Sequence, residues 1–156
     1  MDRSISRISG SKEEQYEGLL TTARAVIGDE TDRIANMANL AALLKEQFGW
    51  HWAGFYLVRG EELVLGPFQG PVACTRIARG KGVCGTAWHR GETVIVDDVH
   101  TFPGHIACSP FSRSEIVVPV ISESQIIAVL DIDSEHPAAF DVTDKKYLEM
   151  MMELIQ

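Results

Sequence analysis

The stretch EIVVPVISESQIIAVLDID, residues 115–133, alternates along its length on both sides of the polar trio Ser122-Glu123-Ser124. A period of two around a short polar break predicts a β-hairpin, with strands from Glu115 to Ile121 and from Gln125 to Asp133. Successive side chains on a strand point to opposite faces, so Ile126, Ala128, Leu130 and Ile132 share one face and Ile127, Val129, Asp131 and Asp133 the other. Antiparallel pairing brings the start of the first strand beside the end of the second, which sets Glu115 close to Asp131 and Asp133. Three acids then converge at one sheet end, on the face away from the aliphatic core. A single Asp or Glu at a strand end is ordinarily just solvated. Three together in a concave site raise one another's pKa, so that one can stay protonated and donate a proton near neutral pH.

Outward from this hairpin the pattern continues. Trp50 to Val58 and Glu62 to Gln69 flank the turn Arg59-Gly60-Glu61, and shorter strands are predicted at Cys74 to Ala78 and Thr93 to Asp97. Helical spacing governs both ends of the chain. Ser11-Lys12-Glu13-Glu14 reads as a capping box before Tyr16, Leu20, Ala23 and Ile27, with a stop at Gly28. A second helix is capped by Thr31, lined by Ile34, Met37, Ala41, Leu44 and Phe48, and ended by Gly49. Val83 to Arg90 is a short helix. A last one is capped by Asp141, has Asp144 near its positive end, and shows Tyr147, Leu148, Met151, Leu154 and Ile155 as its apolar face. The expected architecture is α+β, a mainly antiparallel sheet of about six strands with the N- and C-terminal helices packed on one face. Residues 1–10 are expected to be a flexible tail and residues 11–156 a single domain.

A chain of 156 residues buries about two-thirds of its unfolded surface without metal or disulfide staples. Net charge is −8 and the pI about 5.0, which argues against a phosphate backbone as partner. No apolar run approaches the roughly 18 residues of a membrane span. Three cysteines, an odd count without a Cys-x-x-Cys pair, and an N-terminus lacking a signal-like stretch point to a reducing cytoplasm. The oligomeric state, a homodimer included, is left open.

Cys108 stands in Pro103-Gly104-His105-Ile106-Ala107-Cys108-Ser109-Pro110, a turn-rich run within the long loop Asp98 to Ser114. Gly and Pro on both sides predict surface loop rather than core, which makes Cys108 the candidate nucleophile. Trp52, Gly54 and Tyr56 share one face of the first strand, where the glycine is expected to leave a gap between two aromatics able to enclose a thioether or a cation. Gly80-Lys81-Gly82-Val83-Cys84-Gly85 fits G-x-G-x-x-G, but the short helix and antiparallel neighbours argue against a dinucleotide site. His100, His105 and Cys108 could be drawn as zinc ligands. They lack a fourth ligand and close pairing, so no metal is expected and both histidines are assigned to the loop surface.

Gly80-Lys81-Gly82-Val83-Cys84-Gly85-Thr86-Ala87, Val96-Asp97-Asp98-Val99, Ile106-Ala107-Cys108, Ser114-Glu115-Ile116-Val117-Val118-Pro119 and Val129-Leu130-Asp131-Ile132-Asp133-Ser134 together resemble the free methionine-(R)-sulfoxide reductases, which have a GAF-type fold. The resemblance runs from about Tyr16 to the C-terminus. It implies that Cys108 is the catalytic cysteine, with Cys74 the expected resolving thiol and Cys84 an auxiliary one, and the sequence leaves Cys84 open as the alternative resolving partner. Trp52 and Tyr56 match the pocket aromatics, and Glu115, Asp131 and Asp133 the acids that bind substrate. It further implies free methionine-(R)-sulfoxide as substrate, thioredoxin as reductant and no bound cofactor. Neighbouring carboxylates disfavour a thiolate. Attack by Cys108 is therefore expected to be coupled to protonation of the sulfoxide oxygen by a neutral Glu115 or Asp133. The competing expectation is a ligand-sensing GAF module in which Cys108 is a redox switch or inert.

Overall fold

The computed structural model describes residues 6–106 and 108–156. In chain order the elements are α1 (Lys12–Ile27), α2 (Arg33–Phe48), β1 (Trp52–Arg59), β2 (Glu62–Gln69), β3 (Arg76–Ala78), α3 (Gly82–Arg90), β4 (Val94–Val96), a 3-10 turn at Val99–Thr101, β5 (Ser114–Ser122), β6 (Gln125–Ser134) and α4 (Val142–Met152). The strands form one sheet in the order β3-β2-β1-β6-β5-β4, with every pairing antiparallel.

One face carries the main core. Ala53 and Phe55 of β1, Ile116, Val118 and Val120 of β5, and Ala128, Leu130 and Ile132 of β6 pack under α1, α2 and α4. The other face carries a smaller core, where Trp52, Tyr56, Val117 and Val129 meet α3 through Cys84, Ala87 and Trp88. The expected α+β architecture, with the end helices on one face, is what the chain adopts. The α1 helix has the expected Ser11–Glu14 capping box, and Asp141 with Asp144 forms a second one on α4. Asp144, fully buried, also accepts from Tyr16 Oη (2.6 Å) and Lys12 Nζ (2.7 Å), which ties the two end helices together.

Several details differ from expectation. The α2 cap is Asp32, whose carboxylate accepts from Ala35 N at 3.0 Å, rather than Thr31, and Ile34 lies exposed in the first turn instead of on the buried face. A β-bulge between Val120 and Ile121 opposes Ile121 to Ile126 and Val120 to Ala128. The extra residue inverts the alternation at the turn end of β6: Ile127 joins the main core and Ile126 the smaller one, the reverse of a strict period of two. Of the tail expected to be flexible, residues 1–5 lie outside the described residues. Contacts begin before Ser11: Arg7 Nε donates to Glu46 O, and Ile8 exchanges two hydrogen bonds with the Gln47 side chain.

Candidate active site

The floor of the site is a row of residues across three strands. Trp52 on β1 pairs with Asp133 on β6, and Asp133 in turn with Glu115 on β5; one step along, Gly54 pairs with Asp131 and Asp131 with Val117. All these side chains project away from the helical core, so the convergence expected from the hairpin alone is realised. The bulge in β2 completes the wall. Gly54 opposes Phe68 while Tyr56 opposes Leu65, so one residue more separates the β2 pair than the β1 pair, and Phe68 rather than Pro67 turns toward the site. Trp52 stacks on Phe68 at 5.2 Å between centroids and lies 5.9 Å from Tyr56. The gap expected at Gly54 is thereby filled: a Cβ there would collide with the Cβ and Cα of Phe68 and with Cη2 of Trp52.

The roof comes from loops. Cys74 lies just before β3 rather than within the strand expected to begin there, and it is disulfide-bonded to Cys108, with 5.4 Å between their Cα atoms. The polar ends of both pocket aromatics hold the first of these loops, Trp52 Nε1 donating to Pro71 O (3.0 Å) and Tyr56 Oη to Cys74 O (2.8 Å). The second loop is held by His51, which the sequence did not single out. Its Nε2 is 3.0 Å from Ser109 Oγ, and its Nδ1 is 3.1 Å from Glu135 Oε1. Ser112 Oγ adds a hydrogen bond to Asp133 Oδ1 at 3.1 Å. Ala107, within the Cys108 motif, lies outside the described residues.

Between floor and roof is a cavity of about 50 Å³ bounded by Trp52, Tyr56, Cys84, His105, Cys108, Glu115, Asp131 and Asp133. His105 therefore belongs to the cavity wall, not to the loop surface, while His100 is exposed as expected. Burial and the His100 charge both lower the His105 pKa, against the attraction of Asp131.

Removal from water, then repulsion from Asp131, pushes Glu115 and Asp133 well above the ordinary carboxylate range; Asp133 also repels Glu115, while hydrogen bonds from Glu115 and Ser112 temper the rise at Asp133. Burial raises Asp131 as well, but hydrogen bonds from Glu115, Cys84 and Asp133 oppose the rise. The rise is thus opposed most at Asp131, which leaves Glu115 and Asp133 the acids held furthest toward the neutral form. Oδ1 of Asp131 is buried and has no hydrogen-bond partner among the described residues, which fits a cationic group arriving from outside. Cys84, buried and free, is pushed well up by burial and by the three acids, so it stays a thiol.

Cys84, Glu115 and Asp131 each bring one ligand atom within 4.8 Å of the others, whereas the His100, His105 and Cys108 set cannot ligate as drawn because the Cys108 sulfur is taken up in the disulfide. The G-x-G-x-x-G run has a packing role. A Cβ on Gly85 would come 2.5 Å from Ala78 O, so the third glycine allows α3 to close onto β3.

The GAF domain family matches residues 34–156. A free methionine-R-sulfoxide reductase from Neisseria meningitidis, solved in complex with its substrate, is 54% identical and superposes with a TM-score of 0.94, covering 98% of this chain and 93% of that one. The free methionine-R-sulfoxide reductase of Escherichia coli is 47% identical over 91% of this chain and 87% of its own length. That of Saccharomyces cerevisiae is 43% identical over 93% and 86%. The chain belongs to the free methionine-R-sulfoxide reductase family. For a member of this family the cavity between the acid row and the cysteine loops is the candidate active site. Every residue the sequence assigned to it lines that cavity except Cys74, which reaches it through its bond to Cys108. His51, Ser109, Ser112 and Phe68 were missed. Only Ser109 and Ser112 carried a signal, as hydroxyls flanking the loop cysteine. No helix among the described residues is long and apolar enough to cross a membrane.

Proposed function

We propose that this chain reduces free L-methionine-(R)-sulfoxide to L-methionine, with Cys108 as nucleophile and Cys74 as resolving thiol. In the reduced protein Cys108 sulfur attacks the sulfoxide sulfur while neutral Glu115 or Asp133 protonates or polarises the sulfoxide oxygen. Oxygen passes to Cys108, methionine leaves, and Cys108 becomes a sulfenic acid. The Cys74 thiol then condenses with it, releasing water and forming the disulfide. A thioredoxin-type protein dithiol reduces that disulfide and returns both thiols, as a reducing cytoplasm would supply. No bound cofactor takes part.

The observation that carries this reading is the Cys74–Cys108 bond roofing a cavity floored by Glu115, Asp131 and Asp133. It favours Cys74 over Cys84 as the resolving partner, and the protonated, acid-bound Cys84 thiol supports an auxiliary role. The unpartnered Asp131 oxygen is the receptor for the substrate ammonium, with Trp52 and Tyr56 enclosing its thioether end. A methionine sulfoxide within a peptide lacks that ammonium and would leave the buried anion unpaired, a penalty of about 3–5 kcal/mol. A thioredoxin-coupled assay following NADPH tests this. Turnover is expected with the free R epimer, and at least a hundredfold less with the free S epimer or a peptide; binding without turnover, as in a ligand sensor, would contradict it.

A further inference from the structure

Among the described residues, six large apolar side chains are exposed, and three of them flank the disulfide in sequence. Val72, 89% exposed, lies two residues before Cys74; Ile106, 39% exposed, and Phe111, 64% exposed, lie on either side of Cys108. Single exposed apolar residues need no explanation, but a collar of them around one reactive group marks a contact surface. All three also adjoin the same cavity. Val72 and Ile106 stand on the rim of the same cavity as Cys108, and Phe111 packs edge-on to His51 of that rim, 6.1 Å between centroids. Both bonded cysteines keep partial exposure within the collar.

We infer that Val72, Ile106 and Phe111 form the docking surface for a protein dithiol with an apolar rim around its own cysteines. This deepens the proposed recycling step and rests on it. The bond at the centre of the patch specifies the partner's chemistry. One partner thiolate displaces a sulfur of the Cys74–Cys108 pair, which breaks that bond and forms a mixed disulfide. The second partner thiol then closes the partner's own disulfide, so the partner loses two electrons and this chain regains two thiols. A small thiol gains little from the collar, whereas a protein surface buries all three side chains as it brings its sulfur in. Ile106 also lies against Gly82 on the cavity side, so Val72 and Phe111, the more exposed of the three, are the positions to vary.

The test is the reduction rate of the oxidised full chain by reduced thioredoxin, compared with its rate by dithiothreitol, in V72S, F111S and the double variant. The double variant is expected to lose about tenfold or more of its second-order rate with thioredoxin, about 1.4 kcal/mol of docking energy. Its rate with dithiothreitol should stay within about twofold of wild type, which also reports intact folding. Unchanged thioredoxin rates, or an equal fall with both reductants, would overturn the docking surface. Wild-type protein reduced by dithiothreitol but not by thioredoxin would instead refute the recycling step, and the surface with it.

Discussion

Glu115 on β5 is the direct cross-strand partner of Asp133 on β6, and both carboxyl groups face the cavity closed by Cys108. Like charges placed directly opposite destabilise a ladder. Protonation removes the repulsion and supplies an acid where a sulfoxide oxygen would arrive. The amide of Glu115→Gln keeps the shape but has no proton to give, so single-turnover reduction is expected to fall by about 10²–10⁴-fold. In the wild type the rate should decline as pH rises through the elevated carboxyl pKa, because the neutral form is the donor. A pH profile of single turnovers that keeps the same alkaline limb in Glu115→Gln would assign the proton to another group.

The same groups give stability a pH dependence of known sign. Glu115, Asp131 and Asp133 bind protons more tightly folded than unfolded. From the ordinary carboxylate range, about pH 4, up to their raised values, the folded chain holds more protons, so stability falls as pH rises. His105 acts in the opposite sense, gaining stability as pH rises from its lowered folded pKa up to about 6.5. Because Glu115 and Asp133 are raised well above the ordinary range, the oxidised protein is expected to have a higher urea midpoint at about pH 5.5 than at about pH 7.5. The difference should shrink in Glu115→Gln; equal midpoints in the wild type would mean that these acids are ionised.

Gly54 tests the pocket wall. A methyl group there has no room beside Phe68 and Trp52, so Gly54→Ala is expected to cost about 1–3 kcal/mol by overpacking. It should also raise KM for the sulfoxide, because Trp52 must shift. Denaturant unfolding and steady-state kinetics check both, and a fully stable variant with normal KM would show that the wall is soft.

Much of this site is legible in the sequence because its parts depend on local rules. Strand alternation and hairpin register suffice to bring Glu115, Asp131 and Asp133 together, and turn-forming residues identify the Cys108 loop. Two of the errors arise where one residue changes the count. The bulge at Val120/Ile121 exchanges Ile126 with Ile127, and the bulge in β2 brings in Phe68 to fill the space left at Gly54. A period of two carries no warning of either. By pattern alone Cys84 is an ordinary helix residue, and only the family resemblance marks it before α3 lies over the sheet. His51, whose ring reaches Ser109 and Glu135 across 58 and 84 residues of chain, has no local pattern to betray it. Long-range side-chain ties of this kind depend on the completed fold.

The most direct measurement mixes the fully reduced chain with free methionine-(R)-sulfoxide and no external reductant, then counts methionine and maps disulfides by mass spectrometry. Wild type is expected to release one methionine per chain and to end with Cys74 bonded to Cys108. Cys74→Ser should release the same single equivalent but stop at an oxidised Cys108, and Cys108→Ser should release none. Methionine formed by Cys108→Ser, or its absence from the wild type, would contradict an oxygen transfer to Cys108 above the acid row.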